Sequence, residues 1–335
     1  MELLLEELIA NDYSRVFVLV DEVTEKLCLP LLKKYLFDIH VLRISSGEKN
    51  KSLANCEAIW SEMLKQEADR KSVLINLGGG VVGDIGGFCA SLYKRGIDYI
   101  QVPTTLLAMV DSAIGGKTAV DFNGVKNVIG TFRQPKSIYI NPDFLSTLPK
   151  PEWINGYAEI IKHGLIADKK YWEKVLSTPL DDWSELINLI SGSIKIKLAI
   201  VKNDPFEKGE RKLLNFGHTI GHAMEAYSLK HDSKPLKHGE AIAIGMICEA
   251  YLSKLNGGLS NKELRQITDL ITLHFPKYSL RSILSPELTR LMRNDKKNTN
   301  EKINFTLLKK TGKGMIDQTC TDNQIAAALN YYDSL

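Results

Sequence analysis

Residues 1–145 alternate short apolar, β-branched runs with helical stretches, and that alternation admits few folds. Val16–Val20, Val73–Leu77, Tyr99–Val102 and Ser137–Ile140 read as strands, and Asn50–Glu67 between two of them carries helical spacing. Such alternation builds βαβ units, so a parallel sheet covered on both faces is expected. The character changes at Asn141-Pro142 and Leu148-Pro149-Lys150-Pro151, a proline cluster that reads as a linker. Beyond it helical periodicity dominates, clearest over Ile154–Leu165, Trp183–Lys202, Lys212–Tyr227, Gly239–Leu255 and Asn261–Leu273. Only Lys302–Leu308 reads as a late strand or hairpin. The expected architecture is α/β plus all-α: a Rossmann-like parallel-sheet domain over residues 1–148 and a helical domain over 149–335, with the site in the cleft between them.

A chain of 335 residues can bury two cores. Its net charge of +3 marks neither a nucleic-acid nor a membrane binder, so any basic site must be local. The opening MELLLEELIA has no basic residue before its apolar stretch and three Glu within it, which reads as an amphipathic helix rather than a secretion signal. No apolar run approaches the roughly 20 residues that span a bilayer. Five scattered cysteines (Cys28, Cys56, Cys89, Cys248 and Cys320) form no CxxC and fit reduced thiols of a cytoplasmic protein.

Leu74-Ile75-Asn76-Leu77 runs straight into Gly78-Gly79-Gly80-Val81-Val82-Gly83-Asp84, a G-x-G-x-x-G after a strand and before a helix. Glycines there let backbone approach a phosphate at a helix N-terminus; the same residues alone equally make a tight turn. The pattern also lies far from the first strand, unlike a standard dinucleotide fingerprint.

Of seven histidines, His218, His222, His231 and His238 fall within one short stretch. If residues 211–222 form one helix, Arg211, Asn215, His218 and His222 line one stripe. Two histidines at i, i+4 read either as a polar helix face or as metal ligands, and no HExxH accompanies them. His40, His163 and His274 read as surface or satisfied core residues. Glu159 and Lys162 stand three apart in an apolar helix, either a local ion pair or a ligand beside a substrate-facing cation. Lys117 and Lys126 follow glycine-rich turns, and Lys195, Lys197, Arg211, Lys296 and Lys297 add charge. Taken singly each is a solvated charge; repeated placement beside glycines and amides points to an anion site.

Seven ordered blocks carry a resemblance: GGGVVGDIGGF (78–88), KRGIDYIQVPTTLLAMVDSAIGGKTAVD (94–121), KNVIG (126–130), GYAEIIKHG (156–164), RKLLNFGHTIGHAMEA (211–226), HGEAIAIGM (238–246) and NDKKN (294–298). Together they resemble the 3-dehydroquinate synthase family of sugar-phosphate cyclases, from about Asp21 to about Lys313. The resemblance implies a zinc ion, with cobalt as the alternative, held by Glu159, His218 and His238. It implies NAD contacts at Asp21, Glu48, Lys51, Gly79, Gly80, Asp84, Thr104, Thr105, Asp111, Lys117, Lys126 and Thr147. It places Asp111, Lys117, Lys126, Asn127, Lys162, Lys197, Glu207, Arg211, Asn215, His222 and Lys296 around the substrate, leaving open which of Lys296 and Lys297 faces it. Arg95 would enter a neighbouring subunit's site, which implies a homodimer. His222 then becomes a substrate residue rather than a ligand, against the simple i, i+4 reading.

The implied reaction takes 3-deoxy-D-arabino-heptulosonate 7-phosphate to 3-dehydroquinate and phosphate. Its steps are oxidation, phosphate elimination, reduction, ring opening and aldol closure, with NAD restored each cycle. Two other readings share the layout: a sibling cyclase for a sugar phosphate lacking a carboxylate, and a metal-dependent polyol dehydrogenase resembling glycerol dehydrogenase. A non-catalytic NAD-binding module has little support, since a polar, cation-lined cleft is expensive in a structural core. Members of the family it resembles usually begin with one or two further strands before the stretch matching Val16–Val20, and a missing strand would expose a sheet or hairpin edge.

Overall fold

The computed structural model describes residues 1–123, 125–180, 182–280, 285–293 and 303–335. They divide into two compact units, Met1–Trp153 and Ile154–Leu335.

The first unit opens on helix α1 (Glu2–Asn11) and strand β1 (Val16–Asp21), followed by short helices α2 (Glu22–Leu27) and α3 (Leu29–Leu32). Strand β2 (His40–Ile44), helix α4 (Leu53–Lys65), strand β3 (Val73–Gly78), helix α5 (Gly80–Leu92) and strand β4 (Asp98–Pro103) follow. A hairpin of β5 (Lys117–Phe122) and β6 (Val125–Phe132) precedes the two-residue β7 (Ser137–Ile138). Strands order as β2-β1-β3-β4-β7, all parallel. The run VLINLG of β3 is buried throughout, the mark of a strand covered on both faces. Helix α5 lies so close to β3 that a Cβ on Gly86 would fall 1.8 Å from Asn76 Oδ1, and Gln101 of β4 donates to Gly83 O at 3.0 Å.

The four strands expected here are present, while β2, β5 and β6 are additions. Strand β1 pairs on both sides, with β2 and β3. The proline cluster is ordered structure rather than a linker. Pro142–Thr147 forms a 3₁₀ turn, and Pro151 sits in the first turn of helix α6 (Lys150–Ala167), where a missing N–H leaves nothing unsatisfied.

The second unit holds most of α6, then α7 (Lys169–Ser177), α8 (Trp183–Asn203), α9 (His218–His231), α10 (His238–Leu255), α11 (Asn261–His274) and α12 (Ser285–Arg293). An antiparallel hairpin of β8 (Asn304–Lys310) and β9 (Lys313–Thr319) and helix α13 (Asp322–Asp333) complete it. The single helix expected over Lys212–Tyr227 is not formed. Glu210–Asn215 is a 3₁₀ turn, Gly217 takes φ +79°, and α9 starts at His218. Arg211 and Asn215 therefore share no helical stripe with His218 and His222. Glycine is required at 217, where φ is positive and a Cβ would meet Met246 Cγ at 2.6 Å.

Candidate functional site

Helix α6 buries every residue from Gly156 to Ile166, which encloses Glu159, Lys162 and His163 at 1% exposure or less. Charged groups this deep need partners, and Glu159 Oε2 contacts Lys162 Nζ one turn on. The carboxylate's other oxygen, Oε1, lies 3.7 Å from His218 Nε2 and 3.8 Å from His238 Nε2. One donor atom from each of Glu159, His218 and His238 falls within 4.8 Å of the others. Ligands about 2.0–2.1 Å from a tetrahedral ion stand roughly 3.4 Å apart, close to both carboxylate–imidazole separations, so the donor set suits a divalent cation. The residues fit a metal.

The far ring nitrogens support the same fit. His218 Nδ1 is 3.1 Å from Phe216 O, and since a carbonyl only accepts, Nδ1 is the donor there, which turns Nε2 toward Glu159. His238 Nδ1 is 3.1 Å from Glu225 Oε2, which orients that ring in the same way. Burial lowers the pKa of His238, and hydrogen bonds to Glu159 and Glu225 more than reverse this, carrying it up to about 10. A cation held by these atoms takes the place of that proton. His222 stacks edge-on to His218 with centroids 5.1 Å apart, beside the donor set.

Elsewhere in this unit Lys197 and Arg211 are buried at 5% and 2% exposure. Asp204 organises the Arg211 loop, accepting from Lys208 N, Gly209 N and Arg211 N, while Arg211 Nη1 donates to Pro205 O at 2.5 Å. Asn215 Nδ2 donates to Glu207 Oε1 at 2.7 Å.

In the first unit five expected residues form one polar cluster. Lys51 Nζ is 2.5 Å from Asp84 Oδ2 and 4.0 Å from Glu48, contacts Asn127 Oδ1, and Glu48 lies 3.9 Å from Lys126. At the glycine turn a Cβ on Gly79 would meet Thr105 Cγ2 at 3.1 Å, and one on Gly80 would meet Ser112 Oγ at 3.2 Å. The Ser112 hydroxyl is buried there with no hydrogen-bond partner. Tight backbone, an orphaned hydroxyl and the unpaired amides opening α5 fit a dinucleotide phosphate. Thr104 N donates to Gly78 O at 3.0 Å, and Asp111 lies in the π-helical turn Ala108–Ser112.

Asp21 caps α2 through Val23 N and Thr24 N, and Thr147 Oγ1 donates to Phe144 O. Lys117 is exposed with Nζ 6.0 Å over the Phe132 ring, and Arg95 is exposed at φ +68°. Lys296, Lys297 and the rest of 294–298 lie outside the described residues. Sequence reasoning missed Ser112, Asp204 and Glu225; Glu225, seven residues after His218, offered the one signal, two helical turns on the same face.

The sequence model described as 3-dehydroquinate synthase N-terminal matches residues 41–155, and that described as 3-dehydroquinate synthase C-terminal matches 156–298. The chain belongs to the 3-dehydroquinate synthase family. It is 40% identical over 324 residues to a 3-dehydroquinate synthase of Parabacteroides distasonis, covering 96% of this chain and 92% of that one. Among solved structures, 2-epi-5-epi-valiolone synthase of Streptomyces hygroscopicus, with NAD+ and Zn2+ bound, aligns with TM-score 0.85 at 26% identity over 97% of this chain and 93% of that one. A 2-deoxy-scyllo-inosose synthase complexed with carbaglucose-6-phosphate, NAD+ and Co2+ aligns with TM-score 0.83 at 25% identity, over 98% and 94% of the two chains. This chain thus shares its architecture with a 2-epi-5-epi-valiolone synthase and a 2-deoxy-scyllo-inosose synthase.

Proposed function

We propose that this chain is a 3-dehydroquinate synthase of the shikimate pathway, converting 3-deoxy-D-arabino-heptulosonate 7-phosphate to 3-dehydroquinate and phosphate. The observation that carries the reading is the convergence of Glu159, His218 and His238 in a chain matched along both halves by the family. Residues 1–148 would bind NAD and residues 149–335 the metal and substrate.

Bound NAD supplies reversible hydride acceptance, and zinc or cobalt held by Glu159, His218 and His238 supplies Lewis acidity toward a substrate hydroxyl. The chain's own residues bind and orient. Arg211, a planar fork already fixed by the Asp204–Pro205 loop, suits the substrate carboxylate. Lys162 sets a cation against Glu159, Lys197 is a second buried cation, and His222 and the Glu207–Asn215 pair offer hydrogen bonds to hydroxyls. Arg95, Lys117, Asn127 and Lys296 are assigned to the phosphate, with Arg95 reaching a partner in a homodimer. Once a ketone acidifies the neighbouring C–H, the departing phosphate can take that proton itself, which leaves the protein mainly orientation and charge compensation. The Lys51–Asp84 pair with Glu48, Lys126 and Thr105 is assigned to NAD.

Five unpaired cysteines support a reducing, cytoplasmic setting. Among the described residues no helix is long and apolar enough to cross a membrane.

The test is phosphate release from the heptulosonate phosphate by purified protein with NAD and zinc, run with and without a chelator. Chelator-sensitive release without net NADH supports the reading; no release from this substrate ends it. Likeness to the two cyclases favours a second reading, a sugar phosphate without a carboxylate. Turnover of sedoheptulose 7-phosphate or glucose 6-phosphate in its place would select that reading, and steady NADH accumulation with a simple polyol would select a dehydrogenase.

A further inference from the structure

Each histidine of the triad is the first residue of its helix, and each helix start is gripped by a side chain from another helix. At α9 the grip is Glu249 of α10, which is fully buried. Its Oε2 accepts from Gly217 N at 2.6 Å, and its Oε1 accepts from Thr219 N at 3.0 Å and Ile220 N at 3.1 Å. The amides on both sides of His218 therefore end on one carboxylate. At α10 the grip is Asn155 of α6, whose Oδ1 accepts from Gly239 N, the amide after His238, at 2.6 Å. Asn155 stands one turn before Glu159 on the same helix. The chain of contacts thus runs from the helix of Glu159 to that of His238, and from there to that of His218.

A local cap would satisfy the α9 amides equally well. A Ser or Asp at the N-cap does so in most helices, yet the N-cap here is Gly217, with no side chain to offer. Taking the cap from α10 does something a local cap cannot: it fixes the start of α9 relative to its neighbour. Backbone approach reinforces the register. A Cβ on Gly245 would fall 1.9 Å from Gly217 O, and one on Gly239 would fall 2.1 Å from Asn155 O. Glu249 achieves this from within a buried stretch, Met246 to Ala250, where a carboxylate is costly unless its acceptor capacity is used.

We infer that Glu249 and Asn155 are positioning residues for the metal triad. Acting through backbone amides, they hold His218 and His238 at ion-binding separation from Glu159 before the ion arrives. The inference rests on the metal reading proposed above.

The test uses the full chain, stripped of metal and titrated with Co2+ against a competing chelator, with the visible spectrum of the Co2+ form as a second readout. Glu249→Gln preserves volume but turns an N–H donor toward amides that need an acceptor; Asn155→Leu removes the acceptor, and Asn155→Asp keeps it. Glu249→Gln and Asn155→Leu should weaken Co2+ binding roughly 10–100-fold and change the intensity of the cobalt bands, as losses of outer-shell support do. Asn155→Asp should retain both affinity and spectrum. Variants that melt earlier yet bind Co2+ with unchanged affinity and spectrum would reduce both residues to ordinary caps and overturn the inference. If Glu249→Gln does not fold, the contrast between Asn155→Leu and Asn155→Asp decides by the same criterion. A wild-type chain that takes up no Co2+ would instead sink the metal reading itself.

Discussion

Lys51 Nζ lies 2.5 Å from Asp84 Oδ2, with only 4% of the lysine side chain exposed. The contact ties the segment after β2 to the first turns of α5, beside the glycine turn.

The pair sets a pH signature. Burial pushes the Asp84 carboxyl up to about 6, against the pull of Lys51, which lowers it. Since the folded value exceeds the unfolded one near 3.8, its stabilising contribution is complete below about pH 4 and lost as pH rises through about 6. Carboxyl NMR should show an Asp84 midpoint near pH 6, and in Lys51→Met the midpoint should move higher. A midpoint that stays put in the variant would break the argument.

Glu263 should behave in the opposite sense. It accepts from Ser260 N and Oγ, closing the α11 capping box, and from Thr311 N and Oγ1. Burial raises its pKa, but these hydrogen bonds outweigh that and hold it below the ordinary carboxylate range. Its contribution is then present above pH 4.5 and lost as pH falls through the lowered value. Glu263→Ala should cost about 1–2 kcal/mol in urea melts at pH 7, with the gap to wild type closing on acidification.

Gly245→Ala probes the close approach of α10 to the start of α9. The added methyl would meet backbone, Gly217 O at 1.9 Å and Gly221 N at 2.7 Å, and backbone cannot rotate away. Overpacking of this kind should cost about 3 kcal/mol, read as a lowered urea midpoint, and should weaken metal uptake by displacing His218.

Metal should stabilise the fold as well as the reaction. Three donors from three helices bind an ion only when those helices are packed, so metal at 100 times its Kd should add about 2.7 kcal/mol. Differential scanning calorimetry of chelated and zinc-loaded protein checks this, and His218→Asn should abolish the gain. Equal melting temperatures with and without zinc would contradict it.

Much of the architecture was legible because local pattern and tertiary burial agree. The buried run VLINLG opening onto glycines announces a parallel strand and a close turn, and α8, α10 and α11 keep their helical spacing. The hairpin β5–β6 was not, since five of the eight β6 residues are exposed and its pattern carries little burial signal. The break at Gly217 was hidden for another reason. A 3₁₀ turn followed by an α-helix preserves apolar spacing near three to four residues, so periodicity reads straight across it.

By itself the sequence determined the parallel-sheet unit, the helical unit after it, and the set of acids, imidazoles and cations available to a site. Burial periods and glycine–proline placement are encoded residue by residue. The family resemblance already implied His238 rather than the neighbour at i+4; only the tertiary structure decided how closely both rings approach the Glu159 carboxylate, and that Glu249 and Asn155 grip the two helix starts. Those partners lie 20 to 84 positions apart in pairs such as His218–His238 and Asn155–Gly239, and nothing local marks which of many carboxylates turns inward. Distance between remote residues is set by how helices pack, and packing is a property of the whole unit.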